Sequence, residues 1–216
     1  MAWISLKAQN LPSLTSIIIA QLSVAYALSN SGFDWSSVEV FSPETVAVTL
    51  IMLAAALFSS LLPASVKHQL VFLRLNNALP GHRFLQLAEH DQRIDLFTLH
   101  LKVLPLMQLN ATEEQQNRVW YQHIYHPHQN TPLVKDAHKA FLLWRDSLVV
   151  SLFTALLLAI GVQTLPAVAA VFSPLSFLVS VFFVLATGCA AHHSGKRMVT
   201  NAVVLWLLKP SACQQQ

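Results

Sequence analysis

Residues Ser147 to Ala191 read SLVVSLFTALLLAIGVQTLPAVAAVFSPLSFLVSVFFVLATGCAA, with no Asp, Glu, Lys, Arg or His across 45 positions. A helix rises about 1.5 Å per residue, so about 20 apolar residues cross the hydrocarbon of a bilayer. The stretch is therefore long enough for two crossings joined near Gln163 to Ser173. A second charge-free run, Val46 to Leu62, supplies another crossing, and Gln9 to Ser29 a further one. In that first run Ser13, Thr15, Ser16, Gln21 and Ser23 dilute an Ile17-Ile18-Ile19 centre. The whole chain is 54% apolar and 11% charged, against roughly 25% charged in soluble domains.

The placement of cations favours this reading over a soluble one. Lys7 precedes the first run, nine of the 13 Lys and Arg fall between Lys67 and Arg145, and Lys196, Arg197 and Lys209 follow the last run. Neither Asn30 to Thr45, which carries Asp34, Glu39 and Glu44, nor Gln163 to Ser173 holds a Lys or Arg. Cations stay on the cytoplasmic side of an inserted chain, so four spans with both ends inside place every one of them on one face. The net charge of +3 then reports orientation, and no direct nucleic-acid binding is expected. The competing reading of the N-terminus is a cleaved signal peptide, with Lys7 before an apolar run and Ala25 and Ala27 as small residues near a cleavage point. Cys189 and Cys213 read as free thiols, with no sign of a disulfide scaffold.

These signals predict an all-α membrane protein: four transmembrane helices in two hairpins, with a small, mainly helical cytoplasmic domain between spans two and three. Residues 1–66 form the first hairpin, with spans at about 9–29 and 43–66. Residues 67–146 form the cytoplasmic domain with helical extensions of spans two and three, and 147–193 form the second hairpin. Residues 194–216 are a cytoplasmic amphipathic helix and tail. Ser42-Pro43-Glu44 and Ser173-Pro174 mark the starts of spans two and four. Thr131-Pro132 starts a helix that runs through Arg145 into span three without a break until Gly161. Span two is expected to continue past a kink at Pro63 through Leu73, forming a projecting stalk with span three. Thr112-Glu113-Glu114-Gln115 has the pattern of a capping box, opening a helix through Tyr125 with Trp120, Tyr121 and Ile124 on its buried face. Lys196 to Leu208, with basic residues at one end and Met198, Val199, Ala202, Val203 and Trp206 along it, reads as a helix lying on the inner leaflet.

Few residues carry a chemical signal. His123, His126 and His128, with His138 further on, are candidate zinc ligands, since imidazole suits zinc and His-x-x-His shares a helix face. Pro127 interrupts that face, and solvated histidines are the competing reading. Pro80-Gly81-His82-Arg83 through Glu89, His90, Asp91, Arg93 and Asp95 mixes acids and bases without a catalytic spacing and reads as a salt-bridged loop. No catalytic residue is assigned. In span one, Ser13, Ser16, Ala20, Ser23 and Ala27 recur at three- and four-residue steps, with Gln21 beside them. Such a small face suits close helix approach, either between copies, where it would line a contact or pore, or against the chain's own spans. Trp144, Arg145, Lys196, Arg197 and Trp206 are expected as anchors at the membrane interface, with Asp146 paired to Arg145 or Arg74.

In layout, two hairpins flanking a small cytoplasmic domain, the chain resembles small multi-span effectors and sensors of bacterial anti-phage defence, those associated with retrons, cyclic-oligonucleotide signalling or Kiwa. That resemblance lies in the architecture of the whole chain, carries over no site residue, and implies an oligomer that alters the membrane when its cytoplasmic part meets a signal. The expected function is thus a non-enzymatic, homo-oligomeric bacterial inner-membrane protein that couples a cytoplasmic protein or small ligand to permeability or signalling. The alternatives are a membrane-anchored enzyme subunit using the His- and acid-rich segment, and a small transporter or its accessory subunit.

Overall fold

The computed structural model describes residues 6–29, 43–108 and 110–208, and every regular element in them is helical. In chain order these are α1 (Leu6–Gln9), α2 (Leu11–Ser29), α3 (Pro43–Leu61), α4 (Ala64–Phe72), α5 (Phe84–Glu89), α6 (Leu96–Val103), α7 (Glu113–Val119), α8 (Pro132–Thr164), α9 (Pro166–Val171) and α10 (Pro174–Leu208). Tight turns at Pro80–Arg83 and His126–His128 and a π turn at Trp120–Tyr125 complete the set. The helices α2, α8 and α10 are each long and apolar enough to cross a membrane, and α3 with α4 makes a fourth crossing if that bent pair is one span. The Ser42 cap, the connection with Asp34 and Glu39, and Lys209, Cys213 and the glutamine tail lie outside the described residues.

Proline sets the helix boundaries. Helices α3, α8, α9 and α10 each begin on one, where the missing N–H has no intrahelical partner to lose. At Pro63 the same chemistry breaks a helix: the chain turns by 102° between Val46–Leu61 and Ala64–Phe72. The expected kink is therefore a corner, and α3 does not run on along its own axis as a stalk. Helix α8 does run from Pro132 past Gly161 to Thr164, where Pro166 restarts the chain as α9 inside the expected connection. Helix α10 continues unbroken to Leu208, so the separate interfacial helix expected after residue 194 is the last part of a 35-residue helix.

The chain divides into two compact units, Met1–Lys67 with Leu142–Ala191, and His68–Phe141 with His192–Gln216. In the first, Ile18, Leu22 and Ala25 of α2 pack with Ile51 and Ala55 of α3, Val150 and Leu158 of α8, and Val168, Val171 and Phe172. Ser29 Oγ ties the end of α2 to the start of α10, accepting from the backbone N–H of Ser173 at 3.0 Å and from its hydroxyl at 3.1 Å. The outward faces are apolar: Leu50, Leu53, Leu57 and Leu61 on α3 and Leu175, Leu178, Phe182 and Leu185 on α10 are all exposed. Both sets recur at three and four residues, a stripe suited to lipid rather than water.

The second unit is a small helical domain with an ordinary core. The capping box forms as expected: Thr112 Oγ1 accepts from Gln115 N, and Gln115 Oε1 accepts from Thr112 N at 3.0 Å. The π turn that follows adds a residue to the helical repeat, so Trp120, Ile124 and Tyr125 are buried while Tyr121 is half exposed. The Tyr125 hydroxyl shares a hydrogen bond of 2.8 Å with Nδ1 of His138. Met198, Val199, Ala202 and Val203 of α10 are buried in this core, so protein covers the face expected to rest on lipid. Gly195 lets α10 approach closely, because a Cβ there would lie 2.7 Å from Phe72 and 3.1 Å from Phe141.

Gly195→Ala is expected to lower the melting temperature in detergent, at a cost of about 1–3 kcal/mol for overpacking. At Gly188 an added Cβ would meet Leu148 at an ordinary 3.5 Å. Gly188→Ala should leave melting unchanged or raise it, since alanine is the better helix former. Equal effects of the two substitutions would contradict this account of α10.

Candidate functional site

The second unit holds a cleft of about 770 Å³, within the usual range for a ligand site, lined by one face of α5 and one face of α10. From the first side come Arg83, Gln86, Leu87 and His90, followed by Asp91, Gln92 and Arg93 of the next turn; from the second come His192, Lys196, Arg197 and Thr200. Positions 83, 86, 87 and 90 share a helical face by their spacing, as do 192, 196 and 200.

The charges in the cleft are unequal. Asp91 is its one acidic group, and Arg93 neutralises it with Nη2 to Oδ2 at 2.7 Å and Nε to Oδ1 at 2.9 Å. Arg93 also donates to Asn201 Oδ1 at 3.0 Å and Thr200 Oγ1 at 3.3 Å, which staples the turn after α5 to α10. Hydrogen bonds to Asp91, from Arg93 first and then from Thr200, hold its carboxyl at about 2, well below its ordinary 3.8, and Asp91 raises the Arg93 guanidinium in turn. By contrast, Arg83, Lys196 and Arg197 form no salt bridge among the described residues, although Glu113 lies near enough to Arg83 to favour its charge. Arg83 Nε is buried without a hydrogen-bond acceptor. Burial first, then repulsion from Arg74, pushes its guanidinium below the ordinary value. A buried donor without a partner costs about 1–3 kcal/mol. Three cations without a salt bridge and two imidazoles around one neutralised acid are an arrangement that suits an anion bearing more than one negative oxygen. Arginine forks suit phosphate in particular.

The other expected residues are placed differently. His123 and His126 are exposed, whereas His128 is buried with Nδ1 held by the Ile124 carbonyl at 2.8 Å and His138 is bound to Tyr125. The four do not converge, and among the described residues no three of His, Cys, Asp and Glu stand where they could hold a metal ion. Arg145 is buried, and with Lys67 it donates to Asp146 Oδ1, at 2.9 Å and 3.2 Å. Arg74 pairs with Glu113 at 3.1 Å, not with Asp146. Trp144 and Trp206 are half-buried, and Lys102 Nζ lies 5.7 Å from the Trp206 ring centroid and donates to the Leu207 carbonyl at the end of α10. Lys196 and Arg197 line the cleft. Asp95 caps α6, accepting from Phe97 N and Thr98 N.

Ser13, Ser16, Ala20, Ser23 and Ala27 all stay exposed on α2, and Ser16 and Ala20 edge an apolar groove with Phe182, Phe183 and Ala186 of α10. Gln21 is instead fully buried, on the opposite side of that helix with Ile18 and Ala25. Residue spacing overlooked the pairing of Arg83 with Lys196 and Arg197, which are more than a hundred positions apart. It also overlooked Ser147, Ser151 and Thr154, whose four- and three-residue steps put three hydroxyls on one buried stripe of α8.

No family model, no curated protein and no solved structure matches this chain.

The Asp91–Arg93 staple predicts a pH dependence with a definite sign. A carboxyl whose folded pKa is depressed stabilises the fold fully above its unfolded value near 4 and loses that contribution as pH falls through about 2. The melting difference between the wild type and Asp91→Asn should therefore be constant above pH ~4 and close towards pH ~2. A difference that widens on acidification would show that the carboxylate is not the stabilising form.

Proposed function

We propose that the protein is a multi-pass protein of a bacterial inner membrane, with both termini cytoplasmic, that recognises a phosphate-bearing anion through its basic cleft. It does so without catalysis and couples that binding to membrane permeability or signalling. The observation that carries this reading is the set of cations without a salt bridge, Arg83, Lys196 and Arg197, around a cavity whose one acid is already neutralised. Helix α10 supports the coupling, since it lends Lys196, Arg197 and Thr200 to the cleft and Ser176, Ser180 and Thr187 to the interior of the apolar unit. The cytoplasmic placement is supported by charge, because ten of the 13 Lys and Arg and all ten His belong to the second unit. Assembly from several copies is supported by the exposed small face of α2. An effector of the kind its layout resembles would take the anion as its trigger.

Pyrophosphate binding to the detergent-solubilised full chain tests the reading by calorimetry. Arg83→Gln and Arg197→Gln should each weaken binding about tenfold or more, as expected for a charge-assisted hydrogen bond of roughly 1.5–3 kcal/mol. Arg118→Gln, an exposed residue away from the cleft lining, should leave it unchanged, and added salt should weaken the wild type. Absence of binding at low salt and millimolar pyrophosphate, or an equal loss in Arg118→Gln, would overturn the proposal.

A further inference from the structure

One side of α10 changes from apolar to basic without a break in the helix. Leu178, Phe182, Leu185 and Cys189 are exposed, and beyond them His192, Lys196 and Thr200 line the cleft. Each of these positions is three or four residues from the last, a spacing that keeps to one side of a helix. Helix α10 is continuous from Pro174 to Leu208, so its lipid-facing stripe leads directly into the α10 wall of the cleft.

Depth agrees with this. The charge-free part of α10, Pro174–Ala191, rises about 27 Å, against a hydrocarbon thickness of about 30 Å. His192 to Arg197 rises a further 8 Å or about that, while each headgroup layer is about 5–8 Å deep. With the first unit in lipid, the α10 wall of the cleft therefore starts at the level of the headgroups. Two leucines mark the same level. The Phe72 ring lies 5.3 Å from that of His192, and directly after Phe72 the side chains of Leu73 and Leu75 are 88% and 83% exposed. Leucines held open on one turn are costly in water and suited to the boundary of an acyl layer.

Charge selects among headgroups. Arg83, Lys196 and Arg197 form no salt bridge among the described residues, and Arg93 already engages Asp91. Glu113, which Arg74 engages, offsets Arg83 only from outside the cleft lining. A phosphomonoester carries about −1.5 to −2 at pH 7 and three acceptor oxygens, so it answers this surplus better than a phosphodiester with its single charge. We propose that the cleft holds the phosphomonoester headgroup of a lipid of the cytoplasmic leaflet, phosphatidic acid being the simplest, whose acyl chains remain in the bilayer beside α10. This inference rests on the phosphate reading of the cleft and narrows its ligand to one that the membrane itself presents.

Calorimetry on the full chain in a non-ionic detergent tests it with dioctanoyl phosphatidic acid, dioctanoyl phosphatidylglycerol and glycerol 3-phosphate, and with pyrophosphate titrated into the same preparation. Phosphatidylglycerol has the tails without the monoester, and glycerol 3-phosphate the monoester without the tails. Phosphatidic acid should bind about tenfold or more tightly than either. Lys196→Gln and Arg197→Gln should each abolish most of its preference over phosphatidylglycerol, and Arg118→Gln should leave that preference intact. Arg197 is exposed, so Arg197→Gln is expected to melt as the wild type does and keeps the test decisive if Lys196→Gln does not fold. Equal binding of phosphatidic acid and glycerol 3-phosphate, or binding of pyrophosphate without phosphatidic acid, would overturn this inference and leave the phosphate reading standing. Equal binding of the two lipids, or an undiminished preference in Arg197→Gln, would also overturn it. Absence of binding by pyrophosphate and phosphatidic acid alike would remove both readings.

Discussion

Hydrocarbon cannot solvate a charge, and the arrangement of this chain follows from that. In the first unit, Lys67, Arg145 and Asp146 are gathered against one another at an end of the charge-free stretches, and Lys7 precedes the first of those stretches on the exposed α1. Its outward faces are stripes of leucine and phenylalanine, which a lipid solvent accepts and water does not. Titratable residues are thereby displaced into the second unit, which holds every histidine. The basic cleft is a local consequence, because a unit enriched in cations must either pair them or leave some to an outside anion.

Much of the fold was legible because it rests on local chemistry. Prolines at 43, 132 and 174 start helices for a reason contained in the residue itself, and the Thr112–Gln115 capping box needs four consecutive positions. What escaped the sequence depends on tertiary contact. The 102° corner at Pro63 and a mild kink have the same local signature. What favours glycine at 195 is the approach of Phe72 and Phe141 to α10, which is a tertiary contact. The π turn at Trp120 displaces Tyr121 outward in favour of Tyr125, because one extra residue per turn rotates everything after it.

The candidate site was legible only in pieces. His90, Asp91 and Arg93 read as a salt-bridged loop, and the Asp91–Arg93 pair is that bridge. Lys196 and Arg197 read as headgroup anchors, because cations after an apolar run ordinarily are. Nothing in their spacing points to Arg83, which only the packing of α5 beside α10 within the second unit brings into the same cleft. The buried hydroxyls of α8 were within reach, as 147, 151 and 154 share a helix face, but a serine in an apolar run does not announce whether its hydroxyl is satisfied.

The central claim is that lipid surrounds the first unit while the second faces the cytoplasm, and labelling from one side at a time measures it most directly. Tyr121, half exposed in the second unit, is replaced as Tyr121→Cys in a background of Cys189→Ala and Cys213→Ala. A membrane-impermeant maleimide is then applied to intact spheroplasts and to inside-out vesicles. Labelling confined to the inside-out vesicles, with the protein retained in alkali-washed membranes, is the predicted result. Labelling in intact spheroplasts, or release of the protein into the alkaline wash, would contradict it.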